Sequence, residues 1–287
     1  MHKPVLLKEV MEALEPKPGE TVLDATIDGG GHAIPIVKKI YPKGILVGID
    51  QDVELLERLK SEKNIILLNG NFRDLDKLFE KEKIKSINKA LFDLGISSWH
   101  LESSGRGFSF QKNEPLDMRY SPESETAANL INKFSEKELT DILKKYGEER
   151  FAGSIVRKIC ETRKKNPIKT TFELIEIISQ AVPDWYKRRR LHFATKTFQA
   201  LRIAVNDELE ALKEGMDKAW RFLEPGGRIA VISFHSLEDR IVKNFFREKA
   251  LAGEGRILTK KPILPSREEL RVNPRARSAK LRAGEKI

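Results

Sequence analysis

Short apolar runs alternate with amphipathic stretches through residues 1–95. Residues 21–25 (TVLDA) form a β-branched run that ends in a glycine-rich turn. Residues 32–40 read as a helix, with Pro35 tolerable only in its first turn. Residues 44–50 (GILVGID) predict a second buried strand, followed by a helix carrying Val53, Leu55, Leu56 and Leu59. A third strand is expected at 65–68, a helix at 73–81 and a fourth strand at 87–94 (INKALFDL). Strands that are apolar throughout, with helices between them, predict a parallel sheet covered on both faces.

The pattern then changes. Residues 105–120 are rich in Gly, Ser and Pro and read as an ordered loop. From 125 to 223 the signals are almost wholly helical. Ser135 with Glu138, and Thr170 with Glu173, have capping-box spacing. Pro183 should end one helix, and 193–223 reads as one long amphipathic helix. Strand character returns after Pro225-Gly226-Gly227, in 228–234 (RIAVISF). Ser236 to Asp239 then opens a helix, with Ser236 or Asp239 as its polar cap. The expected architecture is an α/β sheet domain, residues 1–110 and 208–287, interrupted by an all-helical domain, 111–207.

Composition narrows the partners. Charged residues are 33% of the 287 and the formal net charge is +10. Such a balance fits a nucleic-acid partner, or a Lys/Glu-rich surface with a basic excess. Cys160 is the only cysteine, so no internal disulfide and no multi-cysteine metal site can form, which fits a reducing cytoplasm. No metal-ligand cluster is evident. The N-terminus lacks the apolar core of a signal peptide, and no apolar run reaches the ~20 residues that span a bilayer.

The chemistry concentrates at strand ends. Asp24-Ala-Thr-Ile-Asp28-Gly29-Gly30-Gly31-His32 lies where a strand hands over to a helix, and glycines there let a ligand approach the backbone. Asp50 ends the next strand, where a carboxylate can accept both ribose hydroxyls; it can equally be a plain turn residue. G-x-G-x-x-G is absent, and Asp24 and Asp28 would repel a pyrophosphate. S-adenosylmethionine carries a sulfonium and an ammonium and no phosphate, so acidic residues suit it. Phe72, after strand three, can line an adenine or simply be core.

Asp93-Leu94-Gly95-Ile96-Ser97-Ser98 ends strand four, at the edge where open α/β sheets do their chemistry. Methylation at ring carbon five of cytosine needs a cysteine nucleophile. Cys160 lies in the helical stretch, which disfavours that route. An exocyclic amine needs only positioning and an acceptor for the departing proton, which Asp93 can supply, or Asp93 can hold the cofactor. Phe108 and Phe110, then Asp117 and Arg119, offer aromatic faces and polar edges to an extruded base. His235 and Arg240, beyond the next strand, can close such a pocket. Basic runs at 163–165 and 187–190 and the basic tail 271–282 suit phosphates or form solvated faces.

Taken together, these motifs resemble the bacterial ribosomal RNA small-subunit methyltransferase H (RsmH/MraW) family nearly end to end. The resemblance rests on His2–Val10, the Asp24–His32 loop, Gly48-Ile-Asp50-Gln-Asp52, Asp93–Ser98, Arg106–Phe110 and Pro115–Arg119. It continues through Ala194–Ile203, Phe234–Lys243 and Asn273–Arg282. It implies a Rossmann-like class I methyltransferase sheet that uses S-adenosylmethionine. The implied reaction is methyl transfer to the N4 amine of a cytidine in the decoding region of 16S rRNA, with 16S rRNA or the small ribosomal subunit as partner. By position it implies cofactor contacts from Gly30, Gly31, His32, Asp50, Phe72, Asp93 and His100. Many members carry Gln where this chain has His100. The inserted helical domain would recognise the RNA. The alternatives are an amino-methyltransferase of DNA or of another RNA, and an inactive RNA-binding protein.

Overall fold

The computed structural model describes residues 4–60 and 63–287, so His2 and Lys3 of the N-terminal motif lie outside the described residues. The chain forms two compact units, one built from 4–95 with Leu209–Ile287 and the other from Ile96–Glu208.

The first unit is built on a seven-stranded sheet in the order β3-β2-β1-β4-β5-β7-β6. Strands β1 (Thr21–Asp24), β2 (Ile45–Asp50), β3 (Ile65–Asn69), β4 (Ile87–Asp93) and β5 (Leu223–Ser233) run parallel. β6 (Gly255–Ile257) and β7 (Lys280–Lys286) complete it antiparallel. Alternate strand residues enter two separate cores, which is why each run is apolar throughout. Val22, Leu46, Leu91 and Ile232 pack with α1 (Leu7–Leu14) and α2 (Ala33–Ile40). Leu23, Val47, Phe92 and Val231 face α4 (Leu75–Lys81), α12 (Glu208–Phe222) and α13 (Ser236–Leu251). The short α3 (Val53–Glu57) is capped by Asp52, whose side chain accepts from Glu54 N–H. The strand order reverses between β1 and β4, and a crevice at the strand carboxyl ends is expected there.

The second unit contains α5 (Ser98–Glu102), α6 (Ala127–Lys133), α7 (Glu136–Gly147), α8 (Ala152–Arg163), α9 (Thr171–Ala181), α10 (Asp184–Lys187) and α11 (Thr195–Asn206). Both expected capping boxes are present, at Ser135/Glu138 and Thr170/Glu173. Its core includes Phe108, Leu116 and Met118 from the 105–120 loop. That packing starts the compact helical unit at Ile96, fifteen residues before the boundary expected at residue 111.

Two readings of the sequence are corrected. The helix expected over 193–223 is two helices, broken at Asp207, whose backbone is left-handed at φ 48°. The basic tail includes a strand: β7 pairs with β5 from Arg228↔Glu285 to Ser233↔Lys280. Arg282 is 8% exposed there and donates to Asp239 at 2.7 Å, while Lys280 reaches the other oxygen at 3.2 Å. Both cations are engaged by Asp239, Arg282 buried and Lys280 partly exposed, whereas Arg271, Arg275 and Arg277 are exposed. No helix among the described residues is long and apolar enough to cross a membrane.

Candidate active site

Asp24, Asp50 and Asp93 end β1, β2 and β4, neighbours in the sheet, so the fold gathers their carboxylates around the loop at 25–32. Gly30 turns this loop at φ +77°, and a Cβ there would sit 2.8 Å from Leu59 Cδ2. A side chain there would be strained in conformation and would displace the end of Leu59. Backbone N–H groups fix the carboxylates. Asp50 accepts from Asp28 N–H at 3.1 Å through one oxygen and from Asp52 N–H at 2.9 Å through the other. Asp93 Oδ1 accepts from Gly95 N–H at 3.2 Å, and Asp93 N–H donates to Thr26 Oγ1 at 2.7 Å.

Asp24 is the buried member. Burial pushes its carboxyl up to about 8; the charges of Asp93, Asp50 and Asp28 push the same way, against a Thr26 N–H bond. Asp24 is therefore mostly protonated at neutral pH. This donor set disfavours phosphate and suits a cationic ligand with ribose hydroxyls.

His32 is 5% exposed and bridges two segments. Its Nε2–H donates to the Val5 carbonyl at 2.9 Å, and its Nδ1 lies 3.5 Å from Asp93 Oδ2. A carbonyl can only accept, so Nε2 carries the hydrogen in this contact. The ring thus contacts Asp93 and the chain's start. Phe72 is half-buried, edge-on to Phe92 at 5.5 Å, and packs where a Cβ on Gly215 would meet it at 2.5 Å.

His235 lies beyond β5 and caps α13, its Nδ1 accepting from Glu238 N–H at 3.3 Å. Neither Ser236 nor Asp239 is the cap. Asp239 is spent on Lys280 and Arg282 instead; burial opposes its ionisation, but those two cations outweigh it and hold the carboxyl below the usual range. Arg240 is exposed on α13.

The other expected residues belong to the helical unit. His100 is 4% exposed, edge-on to Phe108 and Tyr120, each at 5.0 Å. Phe108 stacks on Tyr120 and is core rather than surface. Asp117 and Arg119 form a bidentate pair, both bonds 2.8 Å, and Arg119 also donates to the Pro122 carbonyl at 2.8 Å. Burial opposes ionisation of Asp117, but the Arg119 bonds outweigh it and hold the carboxyl low. Between them Met118 is fully buried at φ +60°, with Asn206 bonding its carbonyl at 2.8 Å. Arg119 therefore shapes the 105–120 loop.

Sequence reasoning missed Thr26, which holds the Asp93 backbone, and the link from His32 to Val5. A Thr two residues after Asp24 offered no periodic signal.

Curated relatives match over their whole length. A protein of Persephonella marina is 47% identical over 292 residues, covering 100% of this chain and 99% of the relative. One of Dictyoglomus thermophilum is 48% identical over 293 residues, covering 100% and 97%. One of Halothermothrix orenii is 45% identical over 306 residues, covering 100% and 98%. Each is named ribosomal RNA small subunit methyltransferase H. With the MraW methylase family model matched from residue 1 to 287, the chain belongs to that family.

Proposed function

We propose that this chain transfers a methyl group from S-adenosylmethionine to the exocyclic N4 amine of a cytidine in the decoding region of 16S ribosomal RNA. The observation that carries the reading is the acidic cluster at the ends of β1, β2 and β4, with a glycine turn between its members. The full-length relatives named for small-subunit rRNA methylation support the substrate class.

Asp50, whose carboxylate is aimed by the Asp28 and Asp52 N–H groups at the end of β2, is the residue for the ribose hydroxyls. Gly30 and Gly31 let the ligand approach the main chain. The donor, when bound, supplies an electrophilic methyl on a cationic sulfonium. Asp93, aimed by Gly95 N–H and His32, takes the proton that the amine sheds. His32 and Phe72 are the further cofactor candidates of the sheet unit, and His235 and Arg240 are its substrate candidates. The helical unit is the RNA-recognition part, and its 105–120 loop is braced by Asp117, Arg119 and Phe108.

Labelled donor offered with 16S rRNA, assembled small subunits and duplex DNA tests this. Product is expected on rRNA or on subunits, with N4-methylcytidine in the nucleoside digest. Transfer to DNA alone overturns the substrate, and RNA binding without any donor-dependent product overturns the enzyme reading.

A further inference from the structure

The helical unit carries an aromatic surface that the proposed reaction does not use. In the one-turn helix α10, neighbouring rings part company: Tyr186 is 3% exposed and Trp185 is 53% exposed. Tyr186 anchors the turn. Its hydroxyl donates to Glu149, with the carboxylate oxygens at 2.8 and 3.0 Å, and Glu149 is itself buried. Burial and the Glu149 hydrogen bond push the Tyr186 phenol up to about 12, so it stays a donor. Trp185 meets Phe151 and Tyr186 edge-to-face, each centroid 5.8 Å away, and the Arg150 guanidinium lies over its ring at 5.7 Å. A Trp so exposed gains little from burial, yet its neighbours order it.

The charge around it is positive. Arg188, Arg189 and Arg190 follow in sequence, all exposed, with Arg189 lying 4.7 Å over the Tyr186 ring. Asp184 is the acid of the turn; Lys187 binds it at 3.0 Å and holds its carboxyl below the usual range. Glu148 is the exposed acid beside Arg150. Solvated arginines alone would leave the Trp unexplained. An ordered indole among guanidinium groups is the chemistry that recognises an unpaired base, with the ring stacking and the cations taking flanking phosphates.

We infer that Trp185, rimmed by Arg150 and Arg188–Arg190, is a stacking platform for one unpaired nucleobase of an RNA strand. The inference rests on the reading of RNA as substrate and names the contact through which the strand is held.

The test uses the whole chain without donor and a labelled single-stranded RNA. Trp185→Ala is expected to weaken binding about tenfold, and Trp185→Phe to stay within about threefold. Tryptophan emission should be quenched by the RNA in the wild type and not in Trp185→Phe, because Trp220 is 3% exposed and Trp99 half-buried. With assembled subunits and donor, Trp185→Ala should raise KM and leave kcat unchanged. Equal affinities for wild type and Trp185→Ala overturn the platform. A KM effect on subunits without a binding effect on protein-free RNA assigns the ring to a ribosomal protein and overturns it too. Absence of methyl transfer by the wild type instead defeats the proposed reaction, since the binding and quenching measurements need no turnover.

Discussion

Replacing Asp24 by Asn isolates the electrostatics of the donor site. The folded chain holds this carboxyl at about 8, against 3.8 for the ordinary group. Between those values the folded state keeps a proton that the unfolded chain has released. Folding stability attributable to Asp24 is therefore full below about pH 4 and is lost as pH rises toward 8. One proton is worth about 1.4 kcal/mol per pH unit, so the loss reaches roughly 6 kcal/mol above pH 8. Asn has nearly the same shape, cannot ionise, and keeps an oxygen for the Thr26 N–H that Asp24 accepts at 3.2 Å. Urea unfolding of both proteins at pH 5, 6 and 7 gives the comparison. The stability of Asp24→Asn minus that of the wild type should grow by about 1.4 kcal/mol per unit, close to 3 kcal/mol across the range. A difference that stays flat across the three pH values would refute the reasoning, because it would mean that Asp24 is ionised in the folded chain.

Asp93→Asn should cut methyl transfer by at least about a hundredfold while circular dichroism and melting stay near wild type, since Asn keeps an acceptor for Gly95 N–H but not a base; undiminished turnover removes Asp93 from the reaction. Gly30→Ala forces a left-handed residue and a 2.8 Å approach to Leu59, and should cost about 1–3 kcal/mol in urea unfolding; wild-type stability would show that the loop relaxes freely. Tyr186→Phe leaves the Glu149 carboxylate with the Phe151 N–H at 2.8 Å but without its hydroxyl donor. It should destabilise by about 2–3 kcal/mol, and a neutral result would mean that water replaces the phenol.

The parallel strands were legible because helices cover both faces of the sheet. TVLD, ILVGID and ALFD are apolar on alternate positions that enter different cores, so the runs stand out. The acidic ends of those strands were legible for the same reason. β7 was not, because KLRAGEK carries charge at four of seven positions. Its charges are settled only by tertiary partners: Arg282 by Asp239, Glu285 by Arg228 at 2.9 Å, and Lys286 by the Leu223 carbonyl at 2.7 Å. Gly284 belongs there because a Cβ would collide with Phe246 at 2.5 Å, a constraint from residues far away in sequence. The break at Asp207 was hidden because apolar periodicity runs through it and the residue is not glycine. The cap at His235 was missed because an imidazole does the work usually given to the adjacent serine. The roles of Phe108 and Arg119 turned on loop packing, which aromatic and basic residue types alone do not report.

The helical unit leaves the sheet after Gly95 and returns at Leu209, within a single strand-to-helix connection, and α12 still performs the crossover from β4 to β5. Strand order and pairing consequently owe nothing to the intervening segment. Insertions or deletions within 96–208 can therefore be absorbed without shifting the register of any strand pair in the sheet.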